Sequence, residues 1–261
     1  MSSASTATVH ATVENGVARV LLDRPPLNII DIPMMQALGA ALESVLPGAK
    51  MLVMSGAGTR AFSAGVEVSD HLPERVGEML RTFHAIFRQI AGAKCLTIAA
   101  VQGHCLGGGC ELATFCDFVV ATESATFGQP EIKLGCFPPV AMVTLPRLCG
   151  LRASLDLILT GRTISAGEAQ KIGLVTRIVA DNLLDDGVES MLQELRGLSP
   201  SVLEITRRAL RGCGRFDFER ELAEMETLYL GGLMKTADAA EGIRAFMEKR
   251  APVWTGGLAP Q

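Results

Sequence analysis

The chain has 261 residues, 48% of them apolar and 20% charged, enough to bury a substantial core as one domain with an appendage or as two modest ones. A net charge of −4 and a scattered distribution of Lys and Arg exclude the electrostatic footprint of a nucleic-acid binder. Seven cysteines without a C-x-x-C pair and a start without an apolar signal region fit a reducing cytoplasm, and no apolar run approaches the roughly 20 residues of a membrane span.

The Ser/Thr/Ala-rich start reads as a frayed tail. The stretch "TVHATVENGVARVLLD" then alternates apolar and polar residues on both sides of Asn15-Gly16, which predicts a β-hairpin. After the Pro25-Pro26 break, Met35, Leu38, Leu42 and Val45 share one helical face, and "KMLVMSG" reads as a buried strand. The cycle repeats. A helix over residues 74–91 carries Met79, Leu80, Phe83, Phe87 and Ile90, "LTIAAVQG" is a strand, a glycine-rich run opens another helix, and "DFVVAT" is a strand again. Strand and helix alternate to about residue 180. From "LLDDGVESMLQEL" to "EGIRAFMEKR" the patterns are helical, broken at Gly197 to Pro200. The fold class is α/β, with a core at residues 1–197 and a helical region at residues 198–261.

The glycine-rich run is "GHCLGGGCELA", residues 103–113. It lies between a strand and a helix start, where backbone N–H groups lack intrahelical acceptors and the helix dipole is positive. Neither a Walker loop nor a dinucleotide fingerprint matches it. Taken alone, it reads most simply as small residues that let a helix pack closely on a sheet. A second segment of small residues, "RAFSAGVEVSD", follows the "KMLVMSG" strand at the usual position of a site in an α/β protein. Among the other polar residues, Asp117 reads as a structural hydrogen-bonding group, Asp70-His71 as a pair bordering a pocket, and His104 as a polar residue packed near the site. Cys105, Cys110 and Cys116 lack metal spacing and the histidines form no H-x-x-x-H pair, so no metal is expected.

Together "LDRPPLN", "RAFSAGVEVSD", "VQGHCLGGGCELATFCDFVVAT", "ATFGQPEIKLG", "LTGRTISAGEAQKIGLV" and "EGIRAFMEKR" resemble the crotonase (enoyl-CoA hydratase/isomerase) superfamily, in its order and spacing and over nearly the whole chain. The resemblance implies a spiral of strand-strand-helix repeats followed by a C-terminal helical region that builds homotrimers, usually paired into hexamers. It also implies an acyl-CoA thioester as substrate, with coenzyme A arriving as part of it rather than as a separate cofactor. The N–H groups of Val66 and Gly108 would polarise the thioester carbonyl, with Ala64, Gly65, Glu67 and Val68 around it. On this view the thioester is what comes close to the glycines, and Gly108→Val should block its binding while leaving the fold intact. Glu111 would deprotonate a water and Glu131 would deliver a proton to the carbon chain, a pairing that suits adding or removing water. Lys249 with Arg250, and more weakly Arg24, resemble the contact with the CoA phosphates. An isomerase or decarboxylase of the same fold, or a non-catalytic acyl-CoA-binding subunit, remains an alternative.

One stretch departs from the pattern. After "PEIKLG" the chain reads "CFPPVAMV", placing Pro139, Val140, Ala141 and Met142 where a glycine-rich turn is usual. Pro139 has no N–H to hold a water, and the Pro-Val-Ala-Met turn is expected to line the pocket with apolar surface suited to a flat ring. Together with "PPLNIIDIPMM" and "GVEVSDHLPE", this stretch most resembles the cyclohexa-1,5-diene-1-carbonyl-CoA hydratases of anaerobic aromatic degradation.

Overall fold

Asn15 and Gly16 both take left-handed backbone conformations, φ 53° and 77°. They join β1 (Val9–Glu14) to β2 (Val17–Leu22) in an antiparallel hairpin whose register runs from Val9↔Leu22 to Glu14↔Val17. The computed structural model describes residues 7–212 and 216–256; the first six residues, expected to fray, and Cys213 lie outside them.

From β2 onward the chain winds through repeats. A six-stranded sheet has the order β1-β2-β3-β5-β7-β10, with β3 (Met51–Gly56), β5 (Leu96–Val101), β7 (Phe118–Thr122) and β10 (Arg177–Val179) all parallel to β2. A second sheet has the order β4-β6-β8-β9, built from three-residue strands: β4 (Ala61–Ser63), β6 (His104–Leu106), β8 (Thr126–Gly128) and β9 (Thr163–Ser165). Three successive repeats, β3-β4, β5-β6 and β7-β8, each contribute a long strand to the first sheet and a short one to the second. The first two repeats then close with helices, α2 (Val76–Gly92) and α3 (Gly108–Phe115). This is the strand-strand-helix spiral. The short strands escape a reading by periodicity because three residues cannot display an alternation.

Strand residues of the large sheet are divided between its faces by their period of two. Val20, Leu22, Leu52, Met54, Ala99, Val101 and Ala121 join the main core with α1 (Ile32–Val45) and α2, whereas Val53, Ile98, Ala100 and Val120 pack on Val188, Met191 and Leu192 of α7 (Leu184–Arg196). Helix α1 starts where the Asp31 side chain accepts the Met34 N–H, and Asp70 accepts the Ile32 N–H at 2.9 Å.

Strict alternation of strand and helix fails between residues 139 and 160, where α4 (Pro139–Leu148) and α5 (Gly150–Thr160) follow one another directly. The stretch read as a turn at Pro139 is thus the first turn of a helix. Proline is suited to that position because its missing N–H would have had no intrahelical acceptor. After β9 come α6 (Ala166–Lys171), β10, α7 and α8 (Pro200–Gly212). Asp117 has the structural role expected of it: its carboxylate accepts from the backbone and hydroxyl of Thr97 and from Arg207 and Arg211 of α8. The last helices, α9 (Phe218–Gly231) and α10 (Ala237–Met247), lie over the spiral, and their Phe218, Leu222, Tyr229 and Ile243 join its main core.

Candidate active site

Strands β4, β6 and β8 are parallel, Ala61 opposite His104 and His104 opposite Thr126, with one irregularity between Ala61 and Ser63. Their chains therefore leave the sheet at the same edge, and three segments distant in sequence emerge side by side: Ala64-Gly65-Val66, Gly107-Gly108 and Gln129-Pro130-Glu131. Ligands of α/β proteins gather at such carboxyl ends of strands. Asn28 secures the first segment. Fully buried, it turns its Nδ2 toward the carbonyls of Ala57, Ala61 and Phe62. Its own carbonyl accepts the Ser63 hydroxyl at 2.8 Å, and that hydroxyl accepts the Gly65 N–H at 3.1 Å.

Each glycine of the triplet makes room for a different part of the protein. A Cβ on Gly107, whose φ is 53°, would stand 2.6 Å from Glu131 Oε1. One on Gly108 would stand 2.7 Å from Val66 Cγ2 and 2.9 Å from Phe83 Cζ, and one on Gly109 would strike the Ser63 carbonyl. The protein's own atoms are thus also what comes close to these glycines, and the contacts of Gly108 with Val66 and Phe83 correct the expectation that Gly108→Val leaves the fold intact. The N–H groups of Val66 and Gly108 have no acceptor among the described residues, and both residues line one cavity.

Glu111 lies in the first turn of α3, 3% exposed, and its Oε1 accepts the Ala141 N–H at 2.9 Å. Burial pushes its carboxyl up to about 7, against the opposing pull of the Ala141 and Val140 amides. Glu131 follows β8 in the 3₁₀ turn Pro130–Leu134, and its Oε2 is buried without a hydrogen-bond partner among the described residues. Burial first, and then the neighbouring Glu111 charge, drives its carboxyl well above the usual range. The α4 N-terminus thus still supplies a backbone donor at Ala141, and that donor holds a carboxylate.

The cavity encloses about 370 Å³. Of the residues singled out from sequence, Ala64, Gly65, Val66, Val68, Gly108, Glu111, Glu131 and Pro139 line it, whereas Arg24, Glu67 and Lys249 do not. Arg24 is exposed and paired with Asp31 at 2.8 Å. Glu67 gives its carbonyl to His71. Lys249 is exposed, and its neighbour Arg250, paired with Glu241 and Glu248, reaches the cavity wall instead. Of the expected apolar turn, Pro139 faces the cavity together with the preceding Pro138; Val140 and Ala141 are buried behind it and Met142 is exposed.

The Asp70-His71 pair splits: His71 lines the cavity, while Asp70 pairs with Arg75 and caps α1. His104 is not at the site, being exposed and bonded to the Thr126 hydroxyl. Among the described residues no three His, Cys, Asp or Glu side chains are grouped as metal ligands. Phe83 and His84 of α2 and Tyr229 of α9 also form the wall, and the motifs gave no sign of them. The available signals were a histidine inside the apolar stripe of α2 and the chain's lone tyrosine.

Comparison with known proteins agrees with this architecture. The enoyl-CoA hydratase/isomerase family matches residues 12–257. The cyclohexa-1,5-dienecarbonyl-CoA hydratase of Thauera aromatica is 35% identical over 247 residues, covering 92% of this chain and 93% of that one. The carnitinyl-CoA dehydratase of Salmonella typhi is 31% identical, covering 95% and 98%. Among solved structures, an enoyl-CoA hydratase from Mycobacterium avium subsp. paratuberculosis superposes with a TM-score of 0.85 at 26% identity, covering 95% of this chain and 99% of that one. The chain belongs to the enoyl-CoA hydratase/isomerase family, and these relatives are hydro-lyases.

Proposed function

We propose that the protein adds water to, or removes it from, a conjugated enoyl- or cyclic dienoyl-CoA thioester, and that coenzyme A enters only as part of the substrate. One observation carries this reading: a single cavity holds two backbone N–H groups without acceptors among the described residues and two buried carboxyls whose surroundings differ. The N–H groups of Val66 and Gly108 take the thioester oxygen as negative charge develops on it, each such donor being worth roughly 3 to 4 kcal/mol at the transition state. Glu111, whose carboxylate form is favoured by the Ala141 amide, acts as base. It removes a proton from water as the water oxygen bonds to the carbon β to the carbonyl. Glu131, whose Oε2 meets no donor among the described residues and whose carboxyl is driven well above the usual range by burial, delivers a proton to the other end of the conjugated system. Water is thereby divided between two carbons, and the acids exchange roles when the reaction runs backwards. A subunit that only bound acyl-CoA would need the donors but neither acid.

A six-membered ring is the proposed acyl group. Phe83, Phe137, Pro138 and Pro139 give the cavity flat apolar walls, and the Thauera aromatica relative is named for a cyclic diene. A conjugated ring also spreads the developing charge toward the carbonyl. Hydration of cyclohexa-1,5-diene-1-carbonyl-CoA is expected with a kcat/KM at least roughly tenfold above that for crotonyl-CoA, a preference of about 1.4 kcal/mol. Assays of both esters under identical conditions test this. Equal or better use of crotonyl-CoA would overturn the ring while leaving hydration in place, and turnover of neither would overturn both.

A further inference from the structure

Two polar atoms in the cavity wall take no part in the chemistry above. His84 of α2 is 0% exposed; its Nδ1 stands 2.7 Å from Glu226 Oε1 of α9, and its Nε2 is buried without a partner among the described residues. Arg88 donates to the same Glu226 oxygen at 3.0 Å. Hydrogen bonding to His84 holds Glu226 below the ordinary carboxylate value, while burial holds His84 below the ordinary imidazole value. A carboxylate can only accept, so the one ring proton of the neutral imidazole sits on Nδ1, and Nε2 presents a lone pair. Three residues after Glu226, on the same face of α9, Tyr229 is 1% exposed. Its hydroxyl lies beside the Cys136 thiol, a weak acceptor, and has no other hydrogen-bond partner among the described residues. The wall thus contains a buried acceptor and a buried donor, each facing a desolvation cost until something pairs with it.

We propose that His84 Nε2 and the Tyr229 hydroxyl recognise a hydroxyl group carried by the acyl part of the CoA ester, its O–H donating to Nε2 and its oxygen accepting from Tyr229. The proposal rests on the acyl-CoA reading above and adds that a ring bearing a hydroxyl away from the reacting carbons binds better than the unsubstituted ring. A keto oxygen could satisfy Tyr229 but would face the Nε2 lone pair with another. A carboxylate would do the same and add a charge to a cavity that already holds Glu111 and Glu131. A plain hydrocarbon ring would leave both buried atoms unpaired, which is how a site built around a hydroxyl discriminates.

Calorimetric titration of the intact protein tests this with cyclohexanecarbonyl-CoA and its 3-hydroxy and 4-hydroxy counterparts. None of them carries a hydroxyl on the carbon β to the carbonyl, so none can lose water by the proposed reaction. At least one hydroxylated ester is expected to bind roughly tenfold or more tightly than the plain one. His84→Phe and Tyr229→Phe should each abolish that ratio, and His84→Gln, which retains an acceptor oxygen, should restore part of it. Loss of packing alone would weaken both esters alike and leave the ratio unchanged. Tyr229→Phe removes a hydroxyl met only by a weak acceptor among the described residues, so its melting temperature should equal or exceed that of the parent, which keeps the test independent of folding. Equal binding of plain and hydroxylated esters, or a preference that survives both phenylalanine variants, overturns the proposal. Failure of every CoA ester to bind overturns the acyl-CoA reading together with it.

Discussion

Glu111 and Glu131 are both buried acids, yet the Ala141 amide donates to Glu111 Oε1 while Glu131 Oε2 has no hydrogen-bond partner among the described residues. Because water activation and protonation are separate tasks, Glu111→Gln and Glu131→Gln should each lower kcat by roughly a hundredfold or more, with little change in acyl-CoA affinity. Steady-state kinetics with a matched binding titration check this. The raised carboxyl of Glu111 has a second consequence. Its folded value, about 7, lies above the unfolded value of 4.5, so the folded protein keeps a proton that the unfolded chain releases, and stability falls as pH rises through that window. Glu111→Gln keeps an oxygen for the Ala141 amide without this loss. The variant should melt with the parent at pH 5 and a few degrees above it at pH 8, as scanning calorimetry would show. If Glu111 is the base proposed above, it must be ionised, so kcat/KM of the parent should decline as pH falls below about 7.

Helix α3 is seated on β4 through glycines, and its N-terminal amide lies beside Val66 because of that seating. Gly109 touches no cavity surface, but a Cβ there would strike the Ser63 carbonyl. Gly109→Ala should therefore lift α3 from β4, lowering stability by about 1–3 kcal/mol in a urea titration and lowering kcat by moving one N–H away from the other. Much of this element level was legible in the sequence. Asn15-Gly16 announced the hairpin, Met35, Leu38 and Leu42 announced α1, and the apolar runs announced the central strands. The segments "RAFSAG", "GHCLGGGCE" and "FGQPE" marked the positions that now border one cavity. Strands β4, β6 and β8 were hidden by their shortness, and the spiral followed from resemblance rather than from any period. Pro138-Pro139 looked like a turn because proline's presence at a helix start and in a turn has the same local cause, a fixed φ. His84 was masked by the apolar residues that share its stripe, since periodicity reports which face is buried and not what a polar group on that face does.

Across the whole molecule, apolar side chains remain uncovered where helices meet solvent. Leu151, Leu155 and Leu159 form an exposed stripe along α5, and Val202, Ile205 and Leu210 stand exposed on α8. Stripes of this kind mark surfaces that are buried by association. The family resemblance implies a homotrimer, paired into a hexamer, as the state that covers them. Sedimentation at micromolar concentration should show trimers or hexamers, and Leu155→Glu should shift the distribution toward smaller species. A folded monomer of the unaltered chain would count against this assembly and against a CoA contact supplied by Lys249 of a neighbouring subunit. No helix among the described residues is long and apolar enough to cross a membrane.

The three parallel short strands also impose an order in time. As the polypeptide emerges during synthesis, Val66 appears first, the glycine triplet some forty residues later, Glu131 after that, and Tyr229 near the end. No partial chain ending before Glu131 holds both donors and both acids, and none ending before α9 has the complete wall. Binding of a thioester analogue is thus a property of the finished product alone. It links the first repeat to the last helices, and an analogue at a hundred times its Kd would add about 2.7 kcal/mol to the stability of the whole chain rather than of any one segment.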